Sequence, residues 1–148
     1  MMSLPFFRIA RSETGLGLFA VKTIKRGAYI ARYRGPRLPN DEADRRESRG
    51  ARYMFELNSK YTIDGSPRWN VARYINHSCW PNATPIIGDG KIVIRALRTI
   101  SPGEEITYNY GTEYLGYFME SGGCQCAGCR IRKAAKRDRE RAARKRGR

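Results

Sequence analysis

A single histidine, at position 77, serves a chain of 148 residues. A separate histidine base is therefore not available unless His77 takes that role alongside any other. Long apolar runs are also absent. None approaches the length needed to span a bilayer, and the N-terminus has no charged segment followed by an apolar stretch and a small-residue cleavage site, so export and membrane insertion are not expected. The sequence contains no internal repeat. Acidic residues are scarce, 14 against 29 Lys+Arg. Cysteine is sparse too, and three of the four, Cys124, Cys126 and Cys129, fall within six residues. A disulfide framework usually spreads its cysteines to close loops, whereas thiols this close can converge on one ion. With Cys79 folded back to join them, four thiolates would make a closed tetrahedral Zn2+ site. In an intracellular chain that reading stands ahead of free thiols or a disulfide.

What is present is a chain of one-domain length with an uneven charge. Residues 130–148 hold eleven basic and two acidic residues, so +9 of the net +15 lies in the last nineteen positions. The body is moderately basic, and the tail is the part that invites a polyanion. It has good helix formers, but Ile131 is its only large apolar residue. The expectation is a segment that is flexible when free and helical on an anionic partner, against the plainer reading of a solvated charge run.

Along the body, Ser12 to Val21 opens on turn formers and Gly15-Leu16-Gly17, then becomes an apolar run suited to a strand; a hairpin or bulge is the structural reading of those glycines. Lys25-Arg26-Gly27 reads as a turn and Ala28 to Arg34 as a strand ending at Gly35-Pro36. Asn40 is placed to cap a short polar helix over NDEADRRESR, which lacks an apolar stripe and belongs on the surface. Tyr53 to Leu57 and Tyr61 to Asp64 read as strands around Asn58-Ser59. A helical turn is expected over Asn70 to Ile75. Ala83 to Ile87 and Lys91 to Ala96 are strands flanking a hairpin turn at Gly88-Asp89-Gly90. In Glu104 to Tyr110, Ile106, Tyr108 and Tyr110 share one face at period two, as in a half-buried strand. Short strands separated by Gly/Pro turns make the fold mainly β.

The stretch Arg73-Tyr74-Ile75-Asn76-His77-Ser78-Cys79-Trp80-Pro81-Asn82 breaks that pattern. Asn, Ser and Pro compete with regular backbone pairing, so an ordered, non-repetitive loop with purposefully placed polar groups is expected, against a plain surface turn.

Four separated pieces now agree with one family in order and approximate spacing: Gly15-Leu16-Gly17-Leu18-Phe19-Ala20, Tyr33-Arg34-Gly35, Asn70 through Asn82, and Gly103-Glu104-Glu105-Ile106-Thr107-Tyr108-Asn109-Tyr110. The sequence resembles a SET-domain protein lysine methyltransferase with a post-SET zinc segment, in a minimal form without a pre-SET cysteine cluster. The resemblance implies a β-clip fold of small sheets with short helices and a knot-like C-terminal crossing, the strand after residue 104 passing beside the loop. It implies a SET domain over 8–111, a post-SET zinc segment over 112–130 and a basic tail, flexible or helical, over 131–148. S-adenosylmethionine would be the methyl donor. Leu16 and Gly17 would offer it backbone, the Tyr33 side chain would reach it, and Arg73, Asn76 and His77 would line its pocket.

On the acceptor side the resemblance makes Tyr110 the catalytic tyrosine, Tyr53 a channel tyrosine and Tyr108 the position that limits the product to mono- or dimethyl-lysine. Methyl transfer is an in-line displacement, for which alignment and a neutral amine suffice, and an apolar aromatic channel disfavours the ammonium form. The family's zinc set maps onto Cys79, Cys124, Cys126 and Cys129. Here only Ala127 and Gly128 separate the last two cysteines, where four residues are usual; Gly128 is the residue that would permit the tighter turn. Trp69 stands where relatives commonly have Gly. The partners implied are a protein or peptide presenting a lysine, and nucleic acid or chromatin along the basic tail; no membrane is expected, and the chain is expected to be a monomer. The location would be intracellular, cytoplasmic in a bacterium and nuclear or chromatin-associated in a eukaryote. The rival reading is a catalytically silent SET fold acting as a zinc-stapled basic module.

Overall fold

The computed structural model describes residues 5–111 and 126–147. It divides into two compact units, Met1–Asn76 with Pro81–Tyr108, and His77–Trp80 with Asn109–Arg148.

The larger unit is built from short strands in three small sheets. Phe7–Ser12 (β1) and Gly15–Ala20 (β2) form a hairpin in register, Phe7 opposite Ala20 and Ser12 opposite Gly15. The glycine-rich stretch is thus the return strand of a hairpin, with Leu18 and Ala20 buried. Tyr29–Tyr33 (β3) pairs with Lys91–Ala96 (β9), which also pairs with Ala83–Gly88 (β8). The β8–β9 turn places Asp89 at φ 51° and Gly90 at φ 71°, the left-handed pair that a two-residue hairpin demands and that Asp-Gly supplies at low cost. Arg37–Pro39 (β4), Tyr61–Asp64 (β6) and Met54–Glu56 (β5) form the third sheet in that order. Glu105–Tyr108 (β10) pairs with β2, and Asn76 of the two-residue strand Asn76–His77 (β7) lies at the sheet's far edge.

The core is aliphatic. Leu18, Ile75, Ile92, Ile94, Ile100 and Ile106 are fully buried, each contributing about 1.5–3 kcal/mol relative to an exposed position. Three elements depart from the sequence reading. The 3-10 turn over Val71–Tyr74 is the helical turn expected there, but the loop that follows contributes the strand β7, so it is less irregular than its composition implies. Helix α1, Asn40–Ser48, has Pro39 at its N-cap. Asn40 therefore does not cap it: its amide donates to the Asn58 carbonyl and its oxygen accepts the Thr62 hydroxyl, tying the helix start to β6. β10 ends at Tyr108, so Tyr110 lies beyond the strand.

In the second unit, Ala127–Arg146 form one α-helix, α2, with Cys126 at its N-cap. The basic segment is therefore helical from within the stretch expected to bind zinc. Arg144, Lys145 and Arg146 occupy the last turn, where positive charge favours the helix dipole. No helix among the described residues is long and apolar enough to cross a membrane.

Candidate functional site

In the larger unit, Asn76 reaches one of the expected donor residues, Leu16. Its side-chain amide nitrogen lies 2.9 Å from the Leu16 carbonyl, 3.1 Å from Ser12 Oγ and 2.7 Å from a Glu105 carboxylate oxygen, three acceptors that share its two N–H groups. The amide thereby ties the β1–β2 hairpin to β10 and fixes the backbone at Leu16. Gly17 follows on the same strand, and a Cβ there would collide with the Glu105 carboxylate. A side chain there would have to displace that carboxylate, and with it the contact to Asn76.

Arg73 lies over the Tyr53 ring, its guanidinium carbon 4.3 Å from the ring centroid and 5.3 Å from that of Tyr74. Its Nε is buried and has no hydrogen-bond partner among the described residues. A buried guanidinium N–H left without an acceptor is costly, so it marks a place where an anionic or carbonyl oxygen would be welcome.

Tyr33 is also engaged within the fold. Its hydroxyl donates to the Tyr53 carbonyl at 2.6 Å, its ring packs on Phe55 with centroids 5.1 Å apart, and the space a Cβ at Gly65 would need is filled by that ring. Tyr53 itself sits at φ 69°, a left-handed conformation that costs an aromatic residue on the order of 1–3 kcal/mol. The Tyr33 hydroxyl and the Gly65 N–H, 2.8 Å from the same carbonyl, hold it there. Phe55 then contacts Tyr108 at 6.2 Å between centroids. The rings of Tyr33, Phe55 and Tyr108 thus follow one another in contact, and Tyr53, with Arg73 over its ring, is tied to them through its backbone carbonyl.

Sequence reasoning missed the roles of three residues. Asn70, fully buried, accepts the Arg34 N–H and donates to the Gly65 carbonyl, both at 3.0 Å. Asn82 pairs with β10 as a strand would, donating to the Glu105 carbonyl and accepting the Thr107 N–H. Glu105 accepts from Asn76. All three belong to the motifs quoted above, but only the fold shows what their side chains meet. Phe55 was not singled out either, and its part comes from its ring contacts with Tyr33 and Tyr108. Trp69 is exposed, with the Arg34 guanidinium 6.0 Å from its ring, so it packs outward.

In the second unit, His77, Cys79, Cys126 and Cys129 come together. The ligand atoms of His77, Cys79 and Cys126 lie within 4.8 Å of one another, and Cys129 Sγ is 3.3 Å from Cys79 Sγ. No disulfide joins these three cysteines. Cys126 Sγ receives the N–H groups of Cys79 and Cys129, each at 3.4 Å. The short Cys126–Cys129 spacing now has a physical account: one thiol caps α2 and the other lies in its first turn. Gly128 belongs to that helix, so the helical turn itself brings the sulfurs together. Converging thiols with preset acceptor geometry fit a thiophilic ion such as zinc. Cys124, the fourth expected ligand, lies outside the described residues.

Tyr110 belongs to the same unit. Its N–H donates to His77 Nδ1 at 3.0 Å, and the two rings are tilted at 60° with centroids 5.4 Å apart. His77 Nε2 lies 3.3 Å from Cys79 Sγ. Burial lowers the imidazole pKa from its ordinary value of 6.5, so the ring is neutral at pH 7.

Comparison with known proteins follows the same residues. The SET domain family matches residues 15–111. The chain is 38% identical over 128 residues to the histone-lysine N-methyltransferase trithorax of Drosophila virilis, covering 80% of this chain and 3% of that protein. It is 41% identical over 114 residues to the "H3 lysine-4 specific" histone-lysine N-methyltransferase of Cryptococcus neoformans, covering 70% and 8%. Among solved structures, a Polycomb Repressive Complex 2 chain from Chaetomium thermophilum bound to an inhibitor superposes with a TM-score of 0.65 at 31% identity, over 74% of this chain and 15% of that one. A related complex bound to S-adenosylmethionine gives 0.65 at 29%. The chain thus spans only a small fraction of the length of these relatives.

Proposed function

The chain belongs to the SET-domain family, and from that footing we propose that it is an S-adenosylmethionine-dependent protein-lysine N-methyltransferase. The observation that carries this reading is the buried, unpartnered Nε of Arg73 within the family-matched segment. The donor's amino-acid carboxylate is the kind of group that satisfies it, and the fixed backbone at Leu16 and Gly17 offers polar edges for the rest. Asn76 serves chiefly by building that wall. When bound, the donor supplies a sulfonium methyl group.

The protein's own part is to exclude water, orient the amine and favour its neutral form. Tyr53, Phe55 and Tyr108 give an aromatic surround, and the Arg73 cation against Tyr53 disfavours a second positive charge nearby. Tyr110 orients the lone pair of the lysine through its hydroxyl. Tyr108 carries a hydroxyl where added methyl groups would need room, so the product is mono- or dimethyl-lysine; mass spectrometry showing mainly trimethyl-lysine from the wild type would refute this. The thiolates of Cys79, Cys126 and Cys129, with Cys124, are the proposed zinc ligands, and their ion would pin the start of α2.

The relatives' names support a histone lysine as substrate and a nuclear, chromatin-associated setting. They are animal and fungal proteins, and nothing in them supports the bacterial, cytoplasmic alternative. α2 is a second contact surface: residues 134–141 are all exposed, and the segment 130–148 carries +9, which suits nucleic acid beside such a substrate. Deleting residues 130–148 should flatten the salt dependence of duplex DNA binding, by about 0.9 in log–log slope for each phosphate that is no longer neutralised; an unchanged slope would remove the helix from that role. The activity is tested by transfer of labelled methyl groups to histone tail peptides, wild type against Tyr110→Phe. No transfer by a donor-binding wild type would favour the silent module.

A further inference from the structure

His77 stands between two groups that the proposed function treats separately, the thiol cluster and Tyr110. Its ring nitrogens are both engaged. Nδ1 accepts the Tyr110 backbone N–H at 3.0 Å, so Nδ1 carries no proton, which leaves Nε2 as the nitrogen that bears the ring's N–H. Nε2 is the atom 3.3 Å from Cys79 Sγ, a distance suited to an N–H···S hydrogen bond. By proximity alone His77 would rank with Cys79 and Cys126 as a metal ligand. The tautomer argues otherwise, because a ring that accepts at Nδ1 and ligates at Nε2 would have to give up its only N–H proton.

We infer that His77 is a positioning residue: its Nε2–H donates to the Cys79 sulfur while its Nδ1 holds the backbone of Tyr110, so that the state of the thiol cluster is transmitted to the proposed catalytic tyrosine. The inference rests on the reading of these thiols as metal ligands. A bound ion would hold the Cys79 sulfur in place, and so fix the acceptor that Nε2–H meets. A firmer bond at Nε2 fixes the ring plane, and the ring plane fixes where the Tyr110 N–H must lie. Loss of the ion releases both. Partners that orient a metal ligand in this way are worth about 10- to 100-fold in metal affinity.

The chain has one histidine, so its imidazole nitrogens give a single set of nuclear magnetic resonance signals. The full chain, labelled with nitrogen-15, is examined metal-free and loaded with cadmium-113. The expected result is Nε2–H with unprotonated Nδ1 in both samples, and no one-bond cadmium–nitrogen coupling in the loaded one. An Nδ1–H tautomer, or direct coupling of cadmium to Nε2, would overturn the inference. Failure to bind cadmium at all would instead refute the metal reading, and the metal-free tautomer would still decide the hydrogen-bond pattern.

The transmission is read from the Tyr110 amide. Stripping cadmium should speed its hydrogen exchange about 10-fold or more. His77→Asn, whose short amide can still accept the Tyr110 N–H but cannot reach the Cys79 sulfur, should keep the slow exchange of the loaded chain within about 3-fold, insensitive to metal, while cadmium affinity falls about 10- to 100-fold. Tyr110 exchange that ignores metal in the wild type would contradict the bridge.

Discussion

The hydroxyl of Tyr33 donates to the backbone carbonyl of Tyr53 across 2.6 Å, and through it a residue expected at the methyl donor holds a residue expected at the acceptor lysine. Tyr33→Phe separates the two roles. Losing a hydroxyl that holds Tyr53 in its left-handed conformation should cost about 1 kcal/mol of stability and lower kcat, with donor affinity changed less than about 2-fold. A large drop in donor affinity in titration calorimetry would return Tyr33 to the donor pocket.

Arg73 carries the opposite expectation. A charge-assisted hydrogen bond is worth about 1.5–3 kcal/mol, so Arg73→Met should weaken S-adenosylmethionine binding about 10- to 150-fold while leaving the chain folded. The methionine fills most of the volume and removes the unpartnered N–H. Unaltered donor affinity would show that another group meets the buried nitrogen.

Asn70 is a matter of stability. Its amide satisfies the Arg34 N–H and the Gly65 carbonyl from a fully buried position. Asn70→Ala strands both backbone groups and should cost about 2–4 kcal/mol in denaturant unfolding. A cost below about 1 kcal/mol would mean that water or a shifted backbone replaces it.

Acid should loosen the turn before β10. The Arg98 guanidinium, 3.0 Å away, and next the Ser101 N–H hold the Glu104 carboxyl below its ordinary pKa of 4.5. The folded value is the lower one, so this stabilisation is complete above the unfolded pKa and is lost as pH falls through the folded one. The site is partly exposed and salt screens it, so the effect is small. Glu104→Gln should reduce the loss of stability on acidification below about pH 4.5. An identical pH profile would leave the ion pair without thermodynamic weight.

How far the sequence could be read follows from the kind of information each element uses. The β8–β9 hairpin was legible because Asp-Gly between alternating apolar residues is a local signal, and the turn uses that pair as expected. β6 was legible for the same reason. Asn40 misled because a cap and a long-range hydrogen bond ask for the same side chain, and only the neighbouring strand decides between them. Among site residues, the thiols announced themselves by spacing. The roles of Asn70, Asn82 and Glu105 depend on groups distant in the chain. The second bond of His77 was equally hidden, since nothing local ties residue 77 to the N–H of residue 110.

The central claim is that this chain moves a methyl group from S-adenosylmethionine to the ε-amine of a protein lysine, and site-mapping mass spectrometry after incubation with histone peptides measures it most directly. Such peptides and the chain's own Lys133, Lys136 and Lys145 would be searched together. Mono- and dimethyl-lysine that disappear with Tyr110→Phe, by about 100-fold or more, are expected. A wild-type chain that binds the donor yet leaves every lysine unmethylated, or one whose product is unaffected by that substitution, would contradict the account.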